Sequence, residues 1–192
     1  MRRSAAETRE HVLQVAHELF YWNGIRATGV DTIAAEAGVT PTTLYRQFPS
    51  KDDLIAAYVE RANELCQSWF GQVMADETLA PREKILAIFD AHAEQLRPGG
   101  FRGCANMMTL AEFPDSTLPA HRYAVKGKDW LRDRLGELTG DLGVPDAPAL
   151  ADRLYLVMEG AKTATMALGA EGPAAQARAL VELILDDALR RT

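Results

Sequence analysis

The stretch Thr28 to Lys51 reads TGVDTIAAEAGVTPTTLYRQFPSK, and it decides the fold because it sets two short helices around one glycine. The first helix is expected over 30–37. Asp31 stands near its start, where a carboxylate complements the helix dipole and the unpaired backbone N–H groups. Val30, Ile33, Ala34 and Ala37 then fall on one face at three- and four-residue spacing. Gly38 follows, and glycine takes the left-handed conformation that reverses a chain after a helix. Thr40 is placed to cap the next helix, and Pro41 suits a first helical position, where its missing N–H would have had no partner. The second helix is expected over 41–47.

At 100° per residue, Leu44 and Phe48 share one side of that second helix. Thr42 and Arg46 lie opposite, flanked by Thr43 and Tyr45. One face suits a core; the other carries hydroxyls and a guanidinium that suit phosphates or base edges. A short amphipathic helix with a proline start also occurs in ordinary helical bundles. The glycine turn and the spacing of the two helices favour a helix-turn-helix DNA reader over that alternative.

From Arg9 to Leu54 the chain is similar to the DNA-binding domain of the TetR family of bacterial regulators. The residues that carry the resemblance are Leu19 to Gly24 (LFYWNG), the Thr28 to Ile33 entry, Ala34-Ala35-Glu36-Ala37-Gly38-Val39, Thr43-Leu44-Tyr45, Phe48, and Ser50-Lys51 with Leu54. The resemblance implies that Thr28 contacts the DNA backbone at the entry of the first motif helix. It implies that Thr40, Pro41, Thr42, Thr43, Tyr45, Arg46 and Gln47 form the recognition segment, and that Lys51 meets a phosphate. Pro41-Thr42 stands where many members carry a lysine and a small residue, so no base preference carries over.

Composition agrees with a regulator of this kind. The chain has 192 residues, 47% of them hydrophobic, enough for a small domain and a larger one. No run approaches the roughly 20 apolar residues that span a membrane, and the N-terminus lacks a signal peptide's apolar region. A cytoplasmic location without membrane attachment is therefore expected. Cys66 and Cys104 form no CxxC pair, and His11, His17, His92 and His121 lack metal-ligand spacing, so no metal and no cofactor are expected. The net charge of −6 is unevenly shared. Residues 1–51 hold six Arg/Lys against five Asp/Glu, or +1; residues 52–192 hold 15 against 22, or −7. Arg2 and Arg3 have two readings, as an arm for phosphates or a minor groove and as a solubilising tail.

The rest reads as helix almost throughout, giving an all-α chain with helices near 5–22, 30–37, 41–47, 51–75, 81–96, 103–112, 117–140, 147–169 and 173–190. An N-terminal three-helix helix-turn-helix domain is expected over 1–50. A C-terminal helical ligand-binding and dimerisation domain is expected over 51–192, with the helix from Lys51 joining the two. In the second domain Trp69, Phe89, His92, Met107, Met108, Phe113, Trp130, Tyr155 and Met158 are candidate walls of a cavity for an apolar small molecule, with core filling as the plain alternative. Gly99 to Asn106 resembles a glycine-arginine-glycine-cysteine entry into the sixth helix in one branch of the family. Its Cys104 reads as a small buried residue before it reads as a redox site.

Two late stripes suggest a partner copy. Leu150, Leu154, Val157, Ala161, Ala164 and Leu168 form one, with Gly160 and Ala167 small enough for close approach; Leu180, Val181, Ile184, Leu185 and Ala188 form the other. They serve either the domain's own core or, as the family resemblance implies, a four-helix homodimer interface. The expected function is a one-component regulator, a repressor released from palindromic double-stranded operator DNA by a ligand. The rivals are a helical-bundle enzyme and a ligand-binding dimer acting on an apolar small molecule. No catalytic residue is nominated: there is no nucleophile elbow, HExxH or phosphate-cradling glycine loop.

Overall fold

The computed structural model describes residues 3–97 and 101–191. Among these it contains nine α-helices and no strand. They are α1 (Ala5–Asn23), α2 (Val30–Glu36), α3 (Pro41–Gln47), α4 (Lys51–Met74), α5 (Pro81–Leu96), α6 (Ala105–Glu112), α7 (Pro119–Gly140), α8 (Ala147–Leu168) and α9 (Ala177–Arg190). Arg2, Gly99 and Gly100, which entered the sequence argument, lie outside the described residues.

Local chemistry fixes most boundaries. Ser4 and Glu7 form a reciprocal capping box on α1, the Ser4 N–H donating to the Glu7 carboxylate at 2.7 Å and the Glu7 N–H to the Ser4 hydroxyl at 3.2 Å. Glu83 reaches back to the Ala80 N–H at 2.9 Å, ahead of a proline start to α5. Asp146 caps α8 through the Ala149 N–H at 3.1 Å. Helix α6 begins later than expected because Gly103 has φ +144°, which no α-helical turn includes. Helix α7 also begins later, because Asp115 holds the Thr117 N–H and hydroxyl in a turn at 2.9 and 2.7 Å. The final expected helix opens as a 3-10 turn, Pro173–Gln176, before α9.

The helices form two packing units. One comprises the chain up to Glu64 together with Cys104–Gly127; the other comprises Leu65–Gly103 and the chain from Lys128 onward. These limits differ from a division at residue 50, because α4 and α7 each contribute residues to both units and α6 packs with the N-terminal helices. In the first unit Val12, Ala16 and Phe20 of α1 meet Ile33, Leu44, Phe48, Leu54 and Tyr58, and Ala120 and Ala124 close the cluster. In the second, Phe70, Ile85, Phe89, Leu131, Leu135, Leu150, Leu154, Met158, Val181 and Leu185 form the core. Each large apolar side chain so buried contributes roughly 1.5–3 kcal/mol.

Candidate functional site

The α2–α3 pair is built as its residues dictate. Gly38 has φ +63°, its N–H donates to the Ala35 carbonyl at 3.0 Å, and the Val39 N–H donates to the Ala34 carbonyl at 2.9 Å. This pair of bonds satisfies the last carbonyls of α2 and turns the chain, the work expected of a glycine just past a helix. The Thr40 hydroxyl then accepts the Thr43 N–H at 3.2 Å, with Pro41 in the first helical position. Leu44 and Phe48 are buried, as are Ile33, Ala34 and Ala37. On the outside Thr40, Pro41, Thr42, Tyr45 and Arg46 are exposed, while Thr43 and Gln47 are half-buried. Arg46 sits in the last turn, where a cation complements the helix dipole.

Two of the expected contact residues also bond the protein's own backbone. Thr28 is only 3% exposed, and its hydroxyl donates to the Gly24 carbonyl at 2.7 Å. Its side chain therefore closes the loop after α1. Lys51 donates to the Ile25 carbonyl at 2.8 Å, so the ammonium ties the start of α4 to that same loop. Burial lowers its pKa from the ordinary lysine value, against the opposing pull of Glu112 and Asp52. An ammonium carries three donors, and one such bond leaves capacity for a phosphate.

Several residues that position the motif carry no signal in the sequence. The Glu112 carboxylate, at the end of α6, accepts the backbone N–H groups of Ile25 and Arg26 at 2.9 and 2.7 Å. Arg26 returns its Nε–H to the Glu112 carbonyl at 2.7 Å and lies over the Phe113 ring. Gly24, with φ +91°, leaves room for this carboxylate. The Arg9 guanidinium covers the Phe48 ring at 4.2 Å, and His11 Nε2 bonds the Ala37 carbonyl at 3.0 Å. The Glu112 bonds join residues 86 and 87 positions apart, beyond the reach of any local spacing rule.

The nine candidate ligand residues do not gather in one packing unit. Met107, Met108 and Phe113 belong to the first, where Met107 is 49% exposed and Phe113 packs against the core. Trp69, Phe89, His92, Trp130, Tyr155 and Met158 belong to the second. There Phe89 and Met158 are core, and Trp130 meets Phe70 edge-on at 5.3 Å between ring centroids. Phe89 and His92 also line a cavity of about 180 Å³ among α5, α8 and the Pro173–Gln176 turn. Beside His92, burial alone would raise the Glu159 pKa, but the Lys162 and Lys128 ammoniums, bonded to it at 2.9 and 2.5 Å, hold it below the ordinary value.

The interface stripes are corrected in the same way. Leu150, Leu154, Ala161, Val181, Leu185 and Ala188 are buried within their own chain and cannot form a free face. Val157, Ala164 and Ile184 are half-buried. Leu168 and Leu180 are exposed as expected, joined by Leu156 and Leu183, which the stripes omitted. About half a helical turn separates the inward from the outward face, and the sequence showed apolar residues on both.

Three comparisons bear on this arrangement. Residues 12–58 match the model for bacterial regulatory proteins of the tetR family. The solved structure of a TetR-family transcriptional regulator from Streptomyces coelicolor, SCO4454, is 33% identical, with a TM-score of 0.91 over 96% of this chain and 97% of that one. A TetR transcriptional regulator from Chloroflexus aurantiacus is 26% identical, with a TM-score of 0.81 over 96% and 97% of the two chains. Among curated proteins, the HTH-type transcriptional regulator YjdC of Escherichia coli is 28% identical over 177 residues, covering 92% of this chain and 93% of the relative.

Proposed function

Given that the chain belongs to the bacterial TetR family of helix-turn-helix transcriptional regulators, DNA-binding proteins and not enzymes, we propose that it is a repressor. In this reading a homodimer holds a roughly palindromic operator and releases it when a small molecule binds. Residues 1–50 carry the DNA reader, braced by Lys51 and Glu112, and the helices of the second unit sense the ligand and pair the two copies. The site of action is the cytoplasm, where the operator lies. The observation that carries this reading is α3, capped by Thr40, anchored by buried Leu44 and Phe48, and turning Thr42, Tyr45 and Arg46 outward.

Phosphate contacts hold a protein on any duplex, whereas base-edge contacts discriminate among sequences. Tyr45 and Lys51 suit the first role, and Arg46 and Thr42 suit the second. The outward leucines of α8 and α9 support a partner copy, because two-fold symmetry would bring two α3 helices to successive major grooves. The ligand must bind the DNA-incompetent arrangement more tightly, since equal affinity for both arrangements shifts neither.

Gel shifts on the DNA flanking its own gene, with scrambled duplex as control, test the assignment. Tyr45→Phe and Lys51→Ala should weaken binding to both duplexes alike. Arg46→Ala and Thr42→Ala should reduce the preference for the specific one, with about 1–3 kcal/mol lost at a bidentate contact. Unchanged affinity in all four variants would remove α3 as the DNA reader.

A further inference from the structure

One peptide group in the first unit stands between two opposite charges. The Arg26 N–H donates to the Glu112 carboxylate at 2.7 Å, and the carbonyl of that same Ile25–Arg26 peptide accepts the Lys51 ammonium at 2.8 Å. The Ile25 N–H donates to the other carboxylate oxygen at 2.9 Å, so moving the Glu112 side chain breaks two bonds. A carboxylate on the N–H and an ammonium on the C=O polarise the peptide in the same sense, and each strengthens the bond at the far end. Burial lowers the Lys51 pKa, and Glu112 is foremost among the groups that oppose it, so the carboxylate acts on the ammonium across the peptide.

The carboxylate is itself held in place. A Cβ at Gly24, where φ is +91°, would stand 3.3 Å from the Glu112 Oε1, so glycine both permits the turn and admits the carboxylate. Arg26 donates its Nε–H to the Glu112 carbonyl at 2.7 Å, and its guanidinium lies 4.9 Å from the centroid of the Phe113 ring. The Thr28 hydroxyl donates to the Gly24 carbonyl at 2.7 Å and closes the same loop. A lysine ammonium on its flexible stem is otherwise a poorly directed charge. Tying one of its three donors to a fixed carbonyl gives the other two a defined direction.

We propose that Glu112 is a positioning residue for DNA binding, which fixes the Lys51 ammonium for a backbone phosphate through the Ile25–Arg26 peptide without touching DNA itself, a role that rests on the reading of Lys51 as a phosphate contact. The expected effect is opposite in sign to that of charge alone, since removing a carboxylate from the DNA-reading unit would by itself strengthen attraction to a polyanion. Fluorescence anisotropy of a labelled scrambled duplex reports phosphate contacts without base readout, and the full chain is titrated against it in a double-mutant cycle. Lys51→Ala should weaken binding about tenfold, the loss of one charge-assisted hydrogen bond, and should flatten the slope of log affinity against log salt by about 0.9. Glu112→Ala should weaken binding by about threefold or more, as coupled members of one network do, and Glu112→Gln, with one acceptor oxygen in place of two, by less. In the Lys51→Ala background neither change at Glu112 should weaken binding further. Circular dichroism at the assay temperature checks that each variant is folded; if Glu112→Ala melts below it, Glu112→Gln carries the cycle. Equal losses from the Glu112 change in both backgrounds would mean that the residue only supports the motif, and unchanged or tighter binding with Lys51 present would mean that only its charge matters; either result overturns the proposal. Wild-type affinity in Lys51→Ala alone would instead remove the phosphate reading of Lys51, and the proposal with it.

Discussion

On α3 the side chains turned from the core are Thr42, Tyr45 and Arg46, whereas on α8 and α9 they include Leu156 and Leu183, 68% and 67% exposed. Both regions use an amphipathic helix to bury an inner stripe. They differ in what the outer face asks for. Hydroxyls and a guanidinium lose little in water and gain direction from phosphates and base edges. Exposed leucines gain only by leaving water, which a second apolar surface provides. One isolated leucine is ordinary on a protein surface, but Leu156, Leu180 and Leu183 lie on two helices that pack against each other. The polar face therefore suits a ligand that comes and goes with salt and effector, and the apolar face suits a lasting partner.

The largest effect should come from putting the same charge on both sides of α8. Leu154→Glu forces a carboxylate into the core of the second unit and should remove about 3–5 kcal/mol, enough to unfold a marginal domain. Leu156→Glu combined with Leu183→Glu should keep the helical signal and its melting temperature within a few degrees, yet sediment as a monomer and lose operator affinity. Circular dichroism melts and sedimentation check both. A stable Leu154→Glu would break the inner assignment, and a dimeric double variant would break the outer one.

Acid should expose the same asymmetry between the two units. The folded-state His92 pKa, about 3, lies below the ordinary 6.5, so between these values the unfolded chain binds the extra proton. Stability from this residue is complete above pH 6.5 and declines as pH falls toward 3, by about 3 kcal/mol at pH 4. Urea midpoints at pH 7 and 4 should therefore fall further for the wild type than for His92→Leu. Equal losses would show that the ring is already protonated, or solvated, in the fold.

A smaller effect is expected at Glu112, which sharpens the view that the DNA-reading unit extends beyond residue 50. Glu112→Ala leaves the Ile25 and Arg26 N–H groups without their carboxylate and should cost about 1–2 kcal/mol. Amide exchange of residues 24–28 should accelerate, while that of α9 stays unchanged. Protection at the wild-type level would show that water replaces the carboxylate without loss.

The amino-acid sequence by itself determined the all-α class, the α2–α3 turn and the inward placement of Leu44 and Phe48. These follow from interactions within a few residues: a capping threonine, a proline at a first helical position, a glycine at positive φ and a period of 3.6. It was also sufficient for the resemblance that named the family. It did not separate the two sides of α8, because Leu154 and Leu156 are equally apolar and only the neighbouring α9 shows which is covered. Nor did it show that Thr28 closes a loop, that Lys51 reaches the Ile25 carbonyl, or that Glu112 grips a segment 86 residues away. His92 and Thr165 come from α5 and α8, and they lie beside one cavity only after the helices have packed. Tertiary structure decided these points because burial and hydrogen-bond partnership depend on which surfaces meet, and local spacing carries no record of that.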